Sequence, residues 1–249
     1  MELTKYEQRA KTSFLISAIG LCFFFILGIV LGYIDSAYYF PLISLSWLIF
    51  AGFGTWLLIS WPLYFVRRNQ FRIIRALEEE YSRKKISFLG KEKGKWLMDM
   101  MYQLKPKYIL QIGAGKGYLE MILSLSYGYL TLVEKDVNKI EEAKKHLYYF
   151  VKKGLEPEIV NEEEVSAVNS LLKDTLRFDL IFIDFDKEKY AQVLDDCVGL
   201  MTYRGYIIAN DVNSDFRHAI FKRNDLETEF VKISGSELSV SRKIFSKIK

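Results

Sequence analysis

The stretch FDLIFIDFDKEKY (residues 178–190) decides how the rest of the chain reads. An apolar run from Leu180 to Ile183 stops on Asp184, and Asp186, Lys187 and Tyr190 follow within one turn of a predicted helix. A short run of aliphatic and aromatic residues bounded by charge reads as a strand buried on both faces. Strands of that kind occur in parallel sheets covered by helices, so the flanking sequence is expected to alternate strand and helix.

It does. KYILQIG (107–113) is a strand ending in glycine, with a helical pattern through GYLEMILSLSY (117–127) after it. YLTLVEKD (129–136) is a second strand, followed by the amphipathic stretch VNKIEEAKKHLYYFVKKG (137–154). EPEIVN (156–161) is a weaker third strand before the helical EEVSAVNSLLKDTL (163–176). YAQVLDDCVGLM (190–201) reads as a helix, RGYIIAND (204–211) as the fifth strand and DFRHAIFKR (215–223) as the next helix. TEFVKISG (228–235) and LSVSRKIF (238–245) close the chain as two strands joined through a turn in ISGSEL, which predicts an antiparallel hairpin at one sheet edge. The fold class is α/β, a Rossmann-like sheet of five parallel strands plus that hairpin.

The N-terminal quarter is different. Residues 13–34 contain no Asp, Glu, Lys or Arg, and neither do residues 37–66. A bilayer core needs roughly 20 helical residues to cross. Two spans, about 13–34 and 38–66, with a turn around Asp35 between them, predict a transmembrane hairpin. The first run is too long for a signal-peptide core and is followed by another, so it reads as retained. Lys5, Arg9 and Lys11 precede the first span, and Arg67, Arg68, Arg72 and Arg75 follow the second, which predicts an integral membrane protein with both termini cytoplasmic. Tyr33, Tyr38, Tyr39, Trp61 and Tyr64 suit an interfacial belt, with Trp47 and Trp56 deeper. Residues 67–85 carry seven Lys or Arg with Phe71, Ile74, Leu77 and Tyr81 at helical spacing, either a basic connector lying on anionic headgroups or a solvated helix. The domains are then 1–66, 67–85 and a catalytic 86–249 facing the cytoplasm.

The net charge of +4 is spread along the chain, so no nucleic-acid partner is indicated. Cys22 and Cys197 lack disulfide or metal spacing, and His146 and His218 sit in charged helical stretches. Oligomeric state is not fixed by the sequence, although Gly20, Gly28, Gly32, Gly52 and Gly54 would allow close helix packing.

Ligands of open parallel sheets bind beyond the carboxyl ends of the strands. Those ends are Gly113-Ala114-Gly115-Lys116-Gly117, then Glu134, then Asn161 or Glu162, then Asp184 and Asp186, then Asn210-Asp211. Every one is polar or glycine. The glycines let backbone approach a ligand closely, and Glu134 is placed to accept from two ribose hydroxyls. The spacing is G-x-G-x-G, with Tyr118 where a dinucleotide fingerprint has its third glycine, which favours S-adenosylmethionine (SAM) and weakens a nicotinamide cofactor. For Asp184 and Asp186 the plain alternative is helix N-capping.

The segment 178–212, running apolar strand, D-x-D-K-x-x-Y, helix and Gly-led strand, resembles the O-methyltransferases typified by catechol and caffeoyl-CoA O-methyltransferase. GKEKGKWLMDMMYQLKPKYILQIGAGKGY (90–118) is similar to the segment that leads these enzymes into their first strand. The resemblance covers about residues 86–249. It implies SAM as methyl donor, with Gly113, Ala114, Gly115, Gly117, Glu134, Asn161, Glu162 and Asp184 around it. It also implies a divalent cation such as Mg2+ held by Asp184, Asn210 and Asp211, with Lys187 as general base and Asp184 in the catalytic set. Three positions depart from the family pattern: Gln111 stands for an acidic residue, Asn210-Asp211 reverses the usual order, and NEEE (161–164) replaces the third-strand motif. The expected function is O-methyl transfer to a hydrophobic or membrane-associated hydroxyl. The alternatives are a non-catalytic SAM-binding sensor or scaffold, a protein-lysine methyltransferase, or an NAD-dependent oxidoreductase.

Overall fold

The tips of the parallel strands lie level with one another. In the computed structural model, β1 (Tyr108–Ile112) pairs in parallel with β2 (Tyr129–Val133), placing Ile112 opposite Val133. β4 (Phe178–Ile183) lies on the other side of β1, with Ile183 opposite Ile112. β3 (Glu158–Val160) ends opposite Val133, and Ile183 pairs with Ala209 of β5 (Met201–Asn210). The residues that come next, Asn161, Glu134, Gly113, Asp184 and Asn210, therefore form one row along the carboxyl edge.

The structure describes residues 5–33, 40–148, 150, 155–173 and 176–245. The predicted turn at Asp35, with Tyr38 and Tyr39, lies outside them, as does the 151–154 end of the predicted helical stretch 137–154. The chain divides into two compact units, Met1–Arg75 and Ala76–Lys249.

In the second unit the strand order is β3-β2-β1-β4-β5-β7-β6. β7 (Ser236–Lys243) runs antiparallel to β5 and to β6 (Leu226–Ile233), making the edge hairpin expected from the sequence. Ser234 and Gly235 between them both have positive φ, 50° and 80°, the geometry a two-residue hairpin turn requires. The sheet is mixed, and its central strands β1 and β4 are buried on both faces, with Ile109, Leu110, Ile112, Leu180, Ile181 and Ile183 fully inaccessible. Each such side chain contributes about 1.5–3 kcal/mol of burial. The odd–even alternation of the strands divides the core. Leu110, Ile112, Ile181, Ile183, Ile207 and Ala209 pack on α6 (Glu164–Leu171), α7 (Tyr190–Leu200) and α8 (Ser214–Phe221). α3 (Lys91–Leu104), α4 (Tyr118–Leu123) and α5 (Val137–Leu147) form a second helical layer, in which α4 touches both α3 and α5.

Helix starts follow local chemistry. Asp136 caps α5 by accepting from the Asn138 amide at 2.9 Å, Glu163 caps α6 through Val165 and Ser166, and Asn213 caps α8 through Phe216. Asp186 caps a 3-10 turn at Lys187–Lys189 by accepting from the Glu188 amide, so for this aspartate the plain N-cap reading is the structural one.

The first unit holds α1 (Lys5–Tyr33) and most of α2 (Phe40–Lys84). Residues 67–84 of the segment expected as a connector are the C-terminal part of α2, and Lys85 follows in a turn. Phe25 meets Trp47 and Phe50 with ring centroids 6.3 and 5.5 Å apart, and Leu21 lies beside Gly54, so the two helices touch in an antiparallel sense. Leu15, Ile16, Ile19, Phe23, Ile26 and Val30 are all exposed. Among the described residues, one helix segment, Lys11–Val30, is long and apolar enough to cross a membrane, and Trp47–Trp56 is a shorter apolar stretch.

Candidate functional site

Two clusters occupy the row of strand tips, one on each side of the point where the chain order reverses between β1 and β4. The first is the glycine turn. Gly113 has φ 88°, and a Cβ there would lie 2.3 Å from the Asp184 carbonyl oxygen, so the β1 and β4 tips are in contact. Gly117 has φ 99° and is covered by the ring of His146. Gly115 is different: a Cβ would meet only the Glu120 carboxylate, at 3.7 and 3.8 Å. Its need for glycine is not imposed by the protein's own packing.

Beneath the turn lies a carboxylate that the sequence reading did not single out. Glu120, fully buried in α4, accepts from the Gly115 amide at 2.7 Å, the Gly117 amide at 3.0 Å and Gln111 Nε2 at 2.8 Å. Burial pushes the Glu120 carboxyl above the ordinary value, and the hydrogen bonds offset this only in part. Gln111, the departure noted on β1, thus pairs with an acid supplied from the following helix. Its Nε2 also donates to the Gly113 carbonyl, which fixes the amide orientation and leaves Oε1 buried without a protein hydrogen-bond partner. G-x-x-E at 117–120 was the available signal, because Gly117 is the N-cap and Glu120 the third residue of α4.

Glu134, 1% exposed, reaches from the β2 tip to the Ala114 amide at 2.9 Å and also accepts from the Asp136 amide and Lys139. A carboxylate has about four acceptor positions, so three donors leave capacity for a ligand hydroxyl. The Asn161 amide is engaged within the protein. Its Nδ2 donates to the carbonyls of Glu134 and Lys135 and holds the β2 and β3 loops together. Glu162 is exposed.

The second cluster is a chain of alternating charge. Asp184 Oδ1 accepts from Asn210 Nδ2 at 3.0 Å. Asn210 Oδ1 accepts from Lys93 Nζ at 2.6 Å, and Lys93 also donates to Asp211 Oδ1 at 2.7 Å. Lys187 Nζ stands 3.4 Å from the other Asp211 oxygen. Asp211 has φ 50°, a left-handed conformation that Asp tolerates better than most residues. That twist returns its carboxylate to the side Asn210 faces, so the reversed Asn-Asp order still delivers both groups to one place. Burial drives the Asp184 carboxyl above its ordinary value despite Asn210 and Lys93. Burial opposes ionisation of Asp211 too, yet the hydrogen bonds from Lys93 and Ser236 and the charges of Lys93 and Lys187 hold it below the usual carboxylate range.

Glu134, Asp184 and the 113–117 turn therefore converge. A model of the O-methyltransferase family matches residues 69–239, well over half of the chain. The chain belongs to the O-methyltransferase family. The enzyme is a SAM-dependent methyltransferase, and its sheet is that of solved relatives. An O-methyltransferase from Bacillus cereus in complex with SAH (S-adenosylhomocysteine) superposes with a TM-score of 0.59 at 14% identity, covering 69% of this chain and 90% of that one. TomG, an O-methyltransferase of tomaymycin synthesis from Streptomyces achromogenes in complex with SAM, gives 0.58 at 15% identity, covering 69% and 89%. A methyltransferase from Geobacter sulfurreducens gives 0.56 at 19% identity, covering 70% and 90%. Comparison with curated proteins yields no match.

The methyltransferase's residues fit the cofactor. Gln111 Oε1 is a buried acceptor beside the turn, suited to a donor such as an ammonium, and Gly115 presents bare backbone where a Cβ would intrude. A divalent cation fits less well. Asp184, Asn210 and Asp211 do come together, but around the Lys93 ammonium, which is already bonded to two of the three. Among the described residues no group of three or more His, Cys, Asp or Glu side chains is placed to hold a metal.

Proposed function

We propose that this methyltransferase is anchored in a membrane through residues 1–66 and transfers the SAM methyl group to a hydroxyl of a hydrophobic or membrane-associated acceptor. The observation that carries the transfer site is the level row of strand tips, with the glycine turn and Glu134 on one side of the β1–β4 switch and Asp184, Asn210, Asp211 and Lys187 on the other. SAM bound over 113–117 supplies an electrophilic methyl carbon. The Gly113–Gly117 backbone and Glu134 hold the donor, Asp184 stands at the adjoining tip, and Lys187, exposed at the mouth, is the base to which the acceptor hydroxyl gives its proton. The O–CH3 bond forms as the S–CH3 bond breaks, leaving S-adenosylhomocysteine. A metal has no part in this reading.

Anchoring is supported by Lys11–Val30, a helical segment long and apolar enough to cross a membrane, with Leu15, Ile16, Ile19, Phe23, Ile26 and Val30 exposed, and by the uncharged run to Val66 as a second span. Basic flanks at both ends put both termini and the 86–249 catalytic domain in the cytoplasm, with residues 67–85 near the headgroups. Tethering raises the effective concentration of a membrane-dissolved acceptor. The test is transfer of labelled methyl from SAM into a total lipid extract by the full-length protein, with alkaline extraction of membranes as the measure of integration. No labelled lipid, or release of the protein by alkali, overturns the corresponding half of the reading.

A further inference from the structure

Lys93 is in a costly place. It lies in the first turn of α3, where the helix dipole disfavours a positive charge, and it is only 6% exposed. A buried ammonium without partners would be expelled or neutralised. On the same helix Lys91 is exposed, so the chain had a solvated alternative two residues away. Lys93 instead reaches groups 117 and 118 residues distant, Asn210 Oδ1 at 2.6 Å and Asp211 Oδ1 at 2.7 Å.

The orientation of Asn210 records what it faces. Its oxygen points to Lys93 and its NH2 to Asp184, an amide set between a cation and an anion. Asp211 is bonded on one oxygen by Lys93 and approached on the other by Lys187. The Lys93 ammonium already occupies the Asn210 and Asp211 oxygens that an added cation would need. A divalent cation placed among them would stand against that ammonium, beside a sulfonium donor. We infer that Lys93 is the resident cation of the methyl-transfer site, standing among Asp184, Asn210 and Asp211 where a divalent ion would have to bind, so that the enzyme works without metal. Lys93 is a positioning residue: it fixes Asn210 and Asp211, and through Asp211 it sets Lys187. The inference rests on the reading of these strand tips as the transfer site.

The test uses the full-length protein in detergent, Mn2+ followed by electron paramagnetic resonance, and SAH binding by calorimetry. Wild type is expected to bind SAH but no Mn2+ up to about 1 mM, with SAH affinity unchanged by EDTA. Lys93→Ala is expected to bind Mn2+ at least about tenfold tighter than wild type, and adding Asp184→Asn should abolish the gain. Lys93→Glu covers a failure of the alanine variant to fold, because Mn2+ would then restore charge balance and raise its melting temperature. Mn2+ binding by wild type that is lost in Asp184→Asn overturns the inference. So does the absence of any gain in both Lys93 variants. Failure of wild type to bind SAH sinks the transfer-site reading instead, a result the Mn2+ measurements on their own cannot produce.

Discussion

The Gly115 amide rests on the Glu120 carboxylate at a distance of 2.7 Å. That one contact, with its partner from the Gly117 amide, turns a glycine-rich loop into a fixed surface. Glu120→Ala strands the Gly115 and Gly117 amides and one of the two Gln111 Nε2 hydrogens, and an unsatisfied buried donor costs about 1–3 kcal/mol. The variant is expected to lose about 3 kcal/mol of stability and about tenfold in SAH affinity. Urea unfolding and calorimetry read the two losses separately.

Glu120 also predicts a pH dependence. Burial raises its folded-state pKa above the ordinary glutamate value of 4.5. A raised folded value means the native state holds a proton that the unfolded chain releases. This contribution is fully present below 4.5 and is lost as pH rises through the folded value. Glu120→Gln cannot titrate. Wild type should therefore gain stability relative to Glu120→Gln as pH falls from neutrality toward 4.5, and chemical denaturation at several pH values checks the sign.

The glycines separate fold from cofactor. Gly113→Ala forces a Cβ to 2.3 Å from the Asp184 carbonyl at a φ of 88°, and should destabilise by at least about 3 kcal/mol. Gly115→Ala meets only a carboxylate at ordinary contact distance. It should change stability by less than about 0.5 kcal/mol while lowering SAH affinity at least about tenfold. Equal effects of the two substitutions on stability would contradict the assignment of Gly115 to the cofactor.

The sheet was legible because buried parallel strands write themselves as apolar runs, and Leu180–Ile183 or Ile109–Ile112 admits few other readings. The row of tips was legible for the same reason, since each run ends where polarity begins. What the sequence hid was long-range partnership. Lys93 sits in KEKGK, a pattern that reads as solvated charge, and only folding brings it to Asn210 and Asp211. Glu120 follows the glycine turn so closely that it reads as helix surface, yet the helix is buried all round. Asn161, expected beside the cofactor, also ties the β2 and β3 loops together through its amide, a role its position in the sequence did not show. In the anchor, the connector expected over 67–85 merges with α2, because nothing between Val66 and Lys84 breaks a helix.

Lys187 separates chemistry from binding. Its side chain is 49% exposed and stands 3.4 Å from Asp211, a geometry worth less than about 1 kcal/mol to the fold. If it takes the acceptor's proton, Lys187→Met should lower the rate of methyl transfer by about 10²–10⁴, with melting temperature and SAH affinity close to wild type. Raising the pH should not rescue the variant, whereas an acceptor with a more acidic hydroxyl should, because it needs less help to ionise. Turnover retained within threefold of wild type across both acceptors would remove Lys187 from the reaction and leave the proton to another group at the β4 tip.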